Sequence, residues 1–304
     1  MGLVGRALVG RYATLARRTP GYYDQGRSRI VFHREGTMTF ESPTTLGTTG
    51  ISVGRLGVAS SYRAPAAAYE EAFDAGCNYF TWGSFIRGRC RAFADAARSL
   101  FARGQRSRVV LGILSYAHSA FLTETFLRGG LKRLGTDYAD VLLLGYFSRR
   151  PPQRILDGAV KLKESGMVRA IGITTHNRAL VPELAREGAL DLYHVRYNAA
   201  HRGGEEDLFP HVMGPSKPGI VAFTATCWGR LLSPKRIPPG EKPATAVECY
   251  RFALTHPAVD LCMTGPRTLE QMRENLATLG QGPMTEEELI RMRRIGDHVY
   301  RGRR

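Results

Sequence analysis

Four side chains in this sequence have the chemistry of proton donors and fall shortly after apolar runs: Tyr62, Tyr116, His118 and Tyr146. A tyrosine facing a carbonyl can hydrogen-bond the developing oxyanion and then supply its proton. A nearby cation or imidazole would lower its pKa, and Arg87, Arg89 and His176 are the candidates for that task. Such chemistry needs convergence within about 3 Å of one reacting atom, which spacing alone does not settle. The same residues would equally serve as loop hydrogen-bonding groups around an inert or ligand-binding pocket. A second constellation favours anions: Thr264-Gly265-Pro266-Arg267-Thr268 leads into the helical pattern Leu269 to Asn275. Amide donors at a helix start, with an arginine beside them, suit a phosphate. A Gly-Pro helix entry with an arginine also occurs for purely structural reasons.

The elements that would position these groups repeat with a regular period. Strand-like runs are expected at Arg55 to Ala59, Cys77 to Phe80, Arg108 to Leu114, Asp140 to Leu144, Ala170 to Ile173, Leu190 to Val195, Gly219 to Phe223 and Val259 to Thr264. Between them lie helical periods at Ala64 to Ala75, Arg89 to Ala102, Ser119 to Leu134, Pro152 to Ser165 and Leu180 to Glu187. Gly76, Gly104, Gly135, Gly166 and Gly188 follow these helices where a left-handed cap is cheap. Eight such units in order predict an α/β fold, a closed (β/α)8 TIM barrel. Two longer excursions, Asn198 to Pro218 and Cys227 to Pro243, are expected to wall a pocket at the catalytic face or to be passive insertions. Thr285-Glu286-Glu287-Glu288 marks the N-cap and acidic first turn of a last helix. Directly after three of the predicted strands stand Thr81, Ser115 and Gly145, none of which is an acid or base near neutral pH.

The 304 residues, 43% hydrophobic and 23% charged, suffice for one large domain and exclude a small disulfide scaffold. Cys77, Cys90, Cys227, Cys249 and Cys262 have no zinc-like spacing, so buried thiols in a reducing cytosol and no metal site are expected. Arg, Asp and Gly interrupt every candidate membrane span, so no transmembrane segment is expected, and the expected location, with reduced thiols, is cytoplasmic. The formal charge of +16 attracts anions. Its arginines are scattered and no nucleic-acid module is recognisable, so no specific nucleic-acid partner is expected. Residues 1–43 differ from the rest: they form a basic N-terminal extension, arginine-rich from Gly5-Arg6 to Arg17-Arg18, ahead of a single barrel domain over 44–304. The extension lacks the apolar core of a secretory signal and reads first as a disordered or surface-packed segment, with a short amphipathic basic helix for organelle targeting or loose membrane association as the alternative. A small molecule is the expected partner, and the sequence leaves the oligomeric state open.

Several phrases carry a resemblance. They are Leu46-Gly47-Thr48-Thr49-Gly50-Ile51-Ser52-Val53 with Leu56-Gly57, Leu131 to Asp140, Gly166 to Ile173, Tyr197-Asn198, and Gly265-Pro266-Arg267 with Glu274-Asn275. In number and order they resemble the aldo-keto reductase family, over most of the chain after about Pro43. The resemblance implies an (α/β)8 barrel that interconverts carbonyls and alcohols with NAD(P)H. It implies a catalytic Asp, Tyr, Lys and His, yet the matching positions hold Thr81, Phe85 or Ile86, Ser115 or Tyr116, and Gly145 or Tyr146. It further implies that Gly265, Arg267, Gln271 and Asn275 bind the adenosine phosphate and adenine of NADP. Phe223 would stack on the nicotinamide, and Thr174, Thr175 and His194 would stand at its carboxamide.

The sequence therefore predicts a divergent oxidoreductase of this kind, an NADP-dependent carbonyl reductase with its proton donor relocated to Tyr62, Tyr116, His118 or Tyr146. Two other readings fit the same residues. One is a noncatalytic barrel that binds a nucleotide or metabolite in a regulatory or partner-binding role. The other is a nonredox enzyme that reuses the barrel mouth.

Overall fold

The computed structural model describes residues 39–83 and 90–302. Residues 1–38, which make up most of the predicted basic extension, and Phe85, Ile86, Arg87 and Arg89 lie outside the described residues. Phe40, within the stretch assigned to the extension, is buried in the barrel's core, and its N–H donates to the Gln281 carbonyl at 2.9 Å.

A short antiparallel hairpin, β1 (Thr44–Thr45) and β2 (Ser52–Val53), precedes the barrel. Eight parallel strands then close on themselves: β3 (Leu56–Ala59), β4 (Tyr79–Gly83), β5 (Val110–Ser115), β6 (Ala139–Leu144), β7 (Val168–Thr175), β8 (Leu192–Arg196), β9 (Gly219–Phe223) and β10 (Leu261–Thr264). All eight predicted strands and their order are present, so the (β/α)8 architecture stands. Strand boundaries shift by up to three residues: β5 includes Ser115, expected just after it, and β7 extends through Thr175, while the largest extension is in β4. β4 runs on to Gly83, which puts Thr81 inside the strand instead of after it. The physical reason is Trp82, which continues the alternation outward; it is buried, and its indole N–H donates to the Cys90 carbonyl at 3.1 Å.

Strands buried on both faces read as unbroken apolar runs, and β6 shows why. Val141 and Leu143 point into the barrel with Tyr79, Leu192, Val221 and Leu261, while Leu142 and Leu144 point outward to the helices. Leu46, Ile51 and Val53 of the hairpin region join the inner group and plug the N-terminal end.

The outer layer contains α1 (Ala66–Asp74), α2 (Arg91–Ala102), α3 (Ala120–Leu134), α4 (Gln153–Glu164) and α5 (Leu180–Glu187). In α3 the residues Thr123, Leu127, Gly130, Leu131 and Leu134 are buried, a single stripe at helical spacing. Ser119 caps its start by accepting from Leu122 N–H, and Gly135 ends it with φ of 74°. The other predicted glycine stops, Gly76, Gly104, Gly166 and Gly188, also have left-handed backbones.

The first long excursion holds two short helices, α6 (Gly204–Asp207) and α7 (Phe209–Val212). After α8 (Ala246–Thr255) and α9 (Leu269–Leu276), the last helix α10 (Glu286–Arg301) begins with the reciprocal Thr285 and Glu288 capping box. Its Arg293 and Asp297 tie it to Glu205 and Arg202 of the first excursion, and Arg291 ties it to Glu241 of the second. Both excursions are thereby braced against one helix.

Candidate functional site

Inward-facing side chains at the C-terminal ends of the strands define the barrel mouth. At its floor the Tyr79 hydroxyl and His194 Nε2 lie 2.8 Å apart, both buried. Burial pushes the imidazole down to about 3 and raises the Tyr79 phenol. His194 is therefore neutral near pH 7, and its Nε2 is engaged across the barrel. Thr81 lies on the same inner surface, its methyl 3.4 Å from where a side chain at Gly112 would begin.

Above this floor the strand ends carry Thr174 and Phe223, both half-buried. A side chain added at Gly145 would meet the Thr174 methyl at 3.0 Å and the Tyr116 ring at 3.1 Å. The missing side chain at position 145 is thus what lets Tyr116 lean across the mouth toward Thr174. Partial burial raises the Tyr116 phenol, which keeps it protonated. Beyond it runs an aromatic row: the Tyr146 and His176 rings are 4.9 Å apart, and His176 and Phe223 are 5.3 Å apart. Burial, then the charge of Arg196, hold the His176 imidazole below its usual range, and its Nδ1 is buried with no hydrogen-bond partner.

The backbone after Phe223 is strained. Thr224, Cys227 and Trp228 have φ of 62°, 51° and 56°, a region that L-residues seldom occupy and that clusters at functional sites. Buried Asn198 holds this turn. Its amide donates to the Thr224 carbonyl at 2.8 Å, and its Oδ1 accepts from the N–H groups of Ala200 and His201 and from His201 Nδ1. Trp228 is exposed, with Arg196 stacked over its ring and His201 edge-on to it.

The predicted residues divide sharply. Tyr116, Tyr146, Thr174 and Phe223 come together at one side of the mouth, with His176. Tyr62 lies across from them, its ring against Gly265 at the end of β10. His118 is stacked on Phe147 with centroids 4.6 Å apart. Ser115 points outward to α3, where its hydroxyl donates to Thr123 at 3.2 Å. Thr175 is buried, its hydroxyl donating to the Phe147 carbonyl at 2.8 Å and accepting from Asn177 N–H.

At the start of α9 two amides are occupied. Thr268 accepts from Gln271 N–H, and the Gln271 side chain accepts from Arg267 N–H at 2.9 Å. Glu270 adds a carboxylate to the first turn. The exposed Arg267 guanidinium has no partner among the described residues, and Asn275 is buried. This end presents one uncommitted cation, with the N–H groups of Arg267 and Gln271 already engaged.

Sequence reading passed over Arg196 and Trp228. Leu192, His194 and Arg196 alternate inward, so the period of two carried the signal for Arg196. No sequence pattern marks Trp228, because its position depends on the left-handed turn.

A family model described as the aldo/keto reductase family matches residues 44–235. No curated protein sequence matches the chain. Among solved structures, the chain is similar to the aldo-keto reductase AKR11C1 from Bacillus halodurans. In its apo form the TM-score is 0.70 at 18% identity, covering 83% of this chain and 95% of that one. The holo form gives 0.69 with the same identity and coverage. The PA4992 protein of Pseudomonas aeruginosa gives 0.63 at 19% identity, covering 80% and 96% respectively.

Proposed function

This chain belongs to the aldo/keto reductase family, and from that premise we propose that it reduces a carbonyl compound with NADPH, using Tyr116 as proton donor and His176 to orient the carbonyl oxygen. The observation that carries this reading is the space left by Gly145, through which Tyr116 reaches the mouth beside Thr174. Phe223 and Thr174 would hold the nicotinamide end of the cofactor, and Arg267 with Asn275 the adenosine phosphate. The orphaned Nδ1 of His176 beside Phe223 and the strained turn that follows support a ligand at this place. Bound there, the dinucleotide would supply a hydride to the carbonyl carbon.

Tyr116 donates its proton to the oxygen as negative charge develops there, and the alcohol results. The phenolate then regains a proton from solvent through the mouth. Because His176 is held neutral, it meets the oxygen as a hydrogen-bonding imidazole instead of as a competing acid. The neutral His194 and its Tyr79 partner close the floor below and exclude water.

The test is nicotinamide fluorescence and calorimetry with NADPH and NADH, followed by NADPH oxidation with a panel of aldehydes, ketones and quinones. Absence of any binding signal at near-millimolar cofactor sinks the proposal. Binding without oxidation of NADPH by any carbonyl indicates the noncatalytic barrel, and turnover with no nicotinamide spectral change indicates a nonredox enzyme.

A further inference from the structure

Two clefts on the barrel surface differ in how their charge is spent. The larger, about 480 Å³, runs along α10 beside Pro238 and Ile290. Its Arg293 and Arg294 are paired with Glu205 and Glu241, and Asp297 adds a carboxylate to its wall. The smaller, about 310 Å³, sits between the loops that follow β5 and β6, and its lining includes His118, Tyr146, Ser148, Arg149, Arg150 and Arg154 but no carboxylate. Arg150 is committed to Glu187 at 2.6 Å. Arg149 and Arg154 have no ion pair or hydrogen bond from their side chains among the described residues.

Geometry favours an anion in this second cleft. It lies at the start of α4, whose N-cap Pro152 offers no side-chain cap and whose first turn has no acid. The nearest acid of the helix, Asp157 one turn further in, is engaged by the Gln153 side chain at 2.8 Å, which leaves the first-turn amides facing the cleft without a carboxylate of their own. The loop itself is held firm: Thr175 and Asn177 bind the carbonyls of Phe147 and Ser148 at 2.8 and 3.0 Å, which commits those acceptors to β7 and its following turn. Two free guanidiniums, a helix start and the hydroxyls of Ser148 and Tyr146 match the oxygens of a phosphate monoester. Tyr146 also joins the cleft to the mouth, since its ring touches His176.

We propose that this cleft binds the phosphate group of a small phosphorylated molecule, and that the substrate reduced at the mouth is a phosphorylated carbonyl compound reaching it across Tyr146. The assignment to the substrate rests on the reductase reading above, whereas the anion site itself does not.

Binding of inorganic phosphate and of glyceraldehyde 3-phosphate, against glyceraldehyde, is measured by calorimetry and by 31P line broadening without cofactor. The wild type and the charge-matched control Lys132→Ala/Arg133→Ala, at the far end of α3, should bind both phosphates and not glyceraldehyde. Arg149→Ala/Arg154→Ala should weaken phosphate binding by about tenfold or more, with the circular dichroism of the fold unchanged, and Arg149→Lys/Arg154→Lys should restore part of it. No binding by the wild type, or equal loss in the control, overturns the site. A separate NADPH titration keeps the outcomes apart: cofactor binding without phosphate binding refutes only the anion cleft. Phosphate binding without cofactor binding refutes the reductase reading, and with it the assignment of the phosphate to a substrate.

Discussion

The two ends of the barrel use charge in opposite ways. At the N-terminal end, Asp140, Asp191 and Asp260 each accept a backbone N–H near a strand start, from Leu111, Ile171 and Ile220, and each is also paired with a cation. Asp140 is the extreme case, almost wholly buried between Arg106 and Arg169. At the C-terminal end the mouth is lined by aromatic rings, a neutral histidine and strained backbone. Its rim cations Arg149 and Arg154, and Arg267 at the start of α9, have no carboxylate partner among the described residues. Paired charge at the N-terminal end holds strands in register; on the reading proposed above, Arg149, Arg154 and Arg267 at the other end would meet a ligand, beside paired cations such as Arg150 with Glu187.

Substitutions test this contrast in order of expected effect. Asp140→Ala leaves Arg106, Arg169 and Leu111 N–H without their acceptor, and should cost about 3–5 kcal/mol of stability in urea titration. Cofactor affinity of the folded fraction should not change; a stable variant that loses cofactor binding would break the division between the ends. Acid should act on the middle of the barrel. The folded chain keeps His194 neutral down to about pH 3, while the unfolded chain takes up a proton near the ordinary histidine value, about 6.5. The unfolded state therefore binds more protons in that window. Stability is complete above about pH 6.5 and falls as pH drops toward 3, by up to a few kcal/mol. His194→Gln should flatten that part of a denaturation profile against pH, and an unchanged slope would count against a neutral buried imidazole.

At the mouth, Tyr116→Phe should lower kcat for carbonyl reduction about 100-fold while thermal stability stays within about 1 kcal/mol. An unchanged rate would move the proton donor elsewhere, with Tyr146→Phe the next variant to assay. Phe223→Ala should raise the Kd for NADPH about tenfold by fluorescence titration. Arg267→Ala should have the smallest effect, raising the Kd for NADPH about fivefold and that for NADH hardly at all. Equal effects on the two cofactors would remove the phosphate from that site.

Much of the fold was legible because burial imposes periodicity. The run Asp140 to Leu144 announces a strand buried on both faces, and Ser119 with Gly135 brackets a helix at both ends. The site was legible only in part. Thr174 and Phe223 were named only through the family resemblance, while alternation carries information about which way a side chain points. It misled at Thr81, because a short apolar run does not reveal that Trp82 continues the strand by packing outward.

His118 and Thr175 mark a second boundary. As residue types they suit a site, yet one stacks on Phe147 and the other holds the loop after β6. Sequence by itself determined the barrel, its eight strands in order, its helix caps and its family, because these follow from local pattern and from burial repeated along the chain. Only the tertiary structure decided that Tyr116 occupies the space left by Gly145, that His176 stands between Tyr146 and Phe223, and that Arg149 and Arg154 remain unpaired beside them. Those facts depend on strands and loops distant in sequence meeting at one rim, where the outcome is set by the volume and charge each neighbour leaves open.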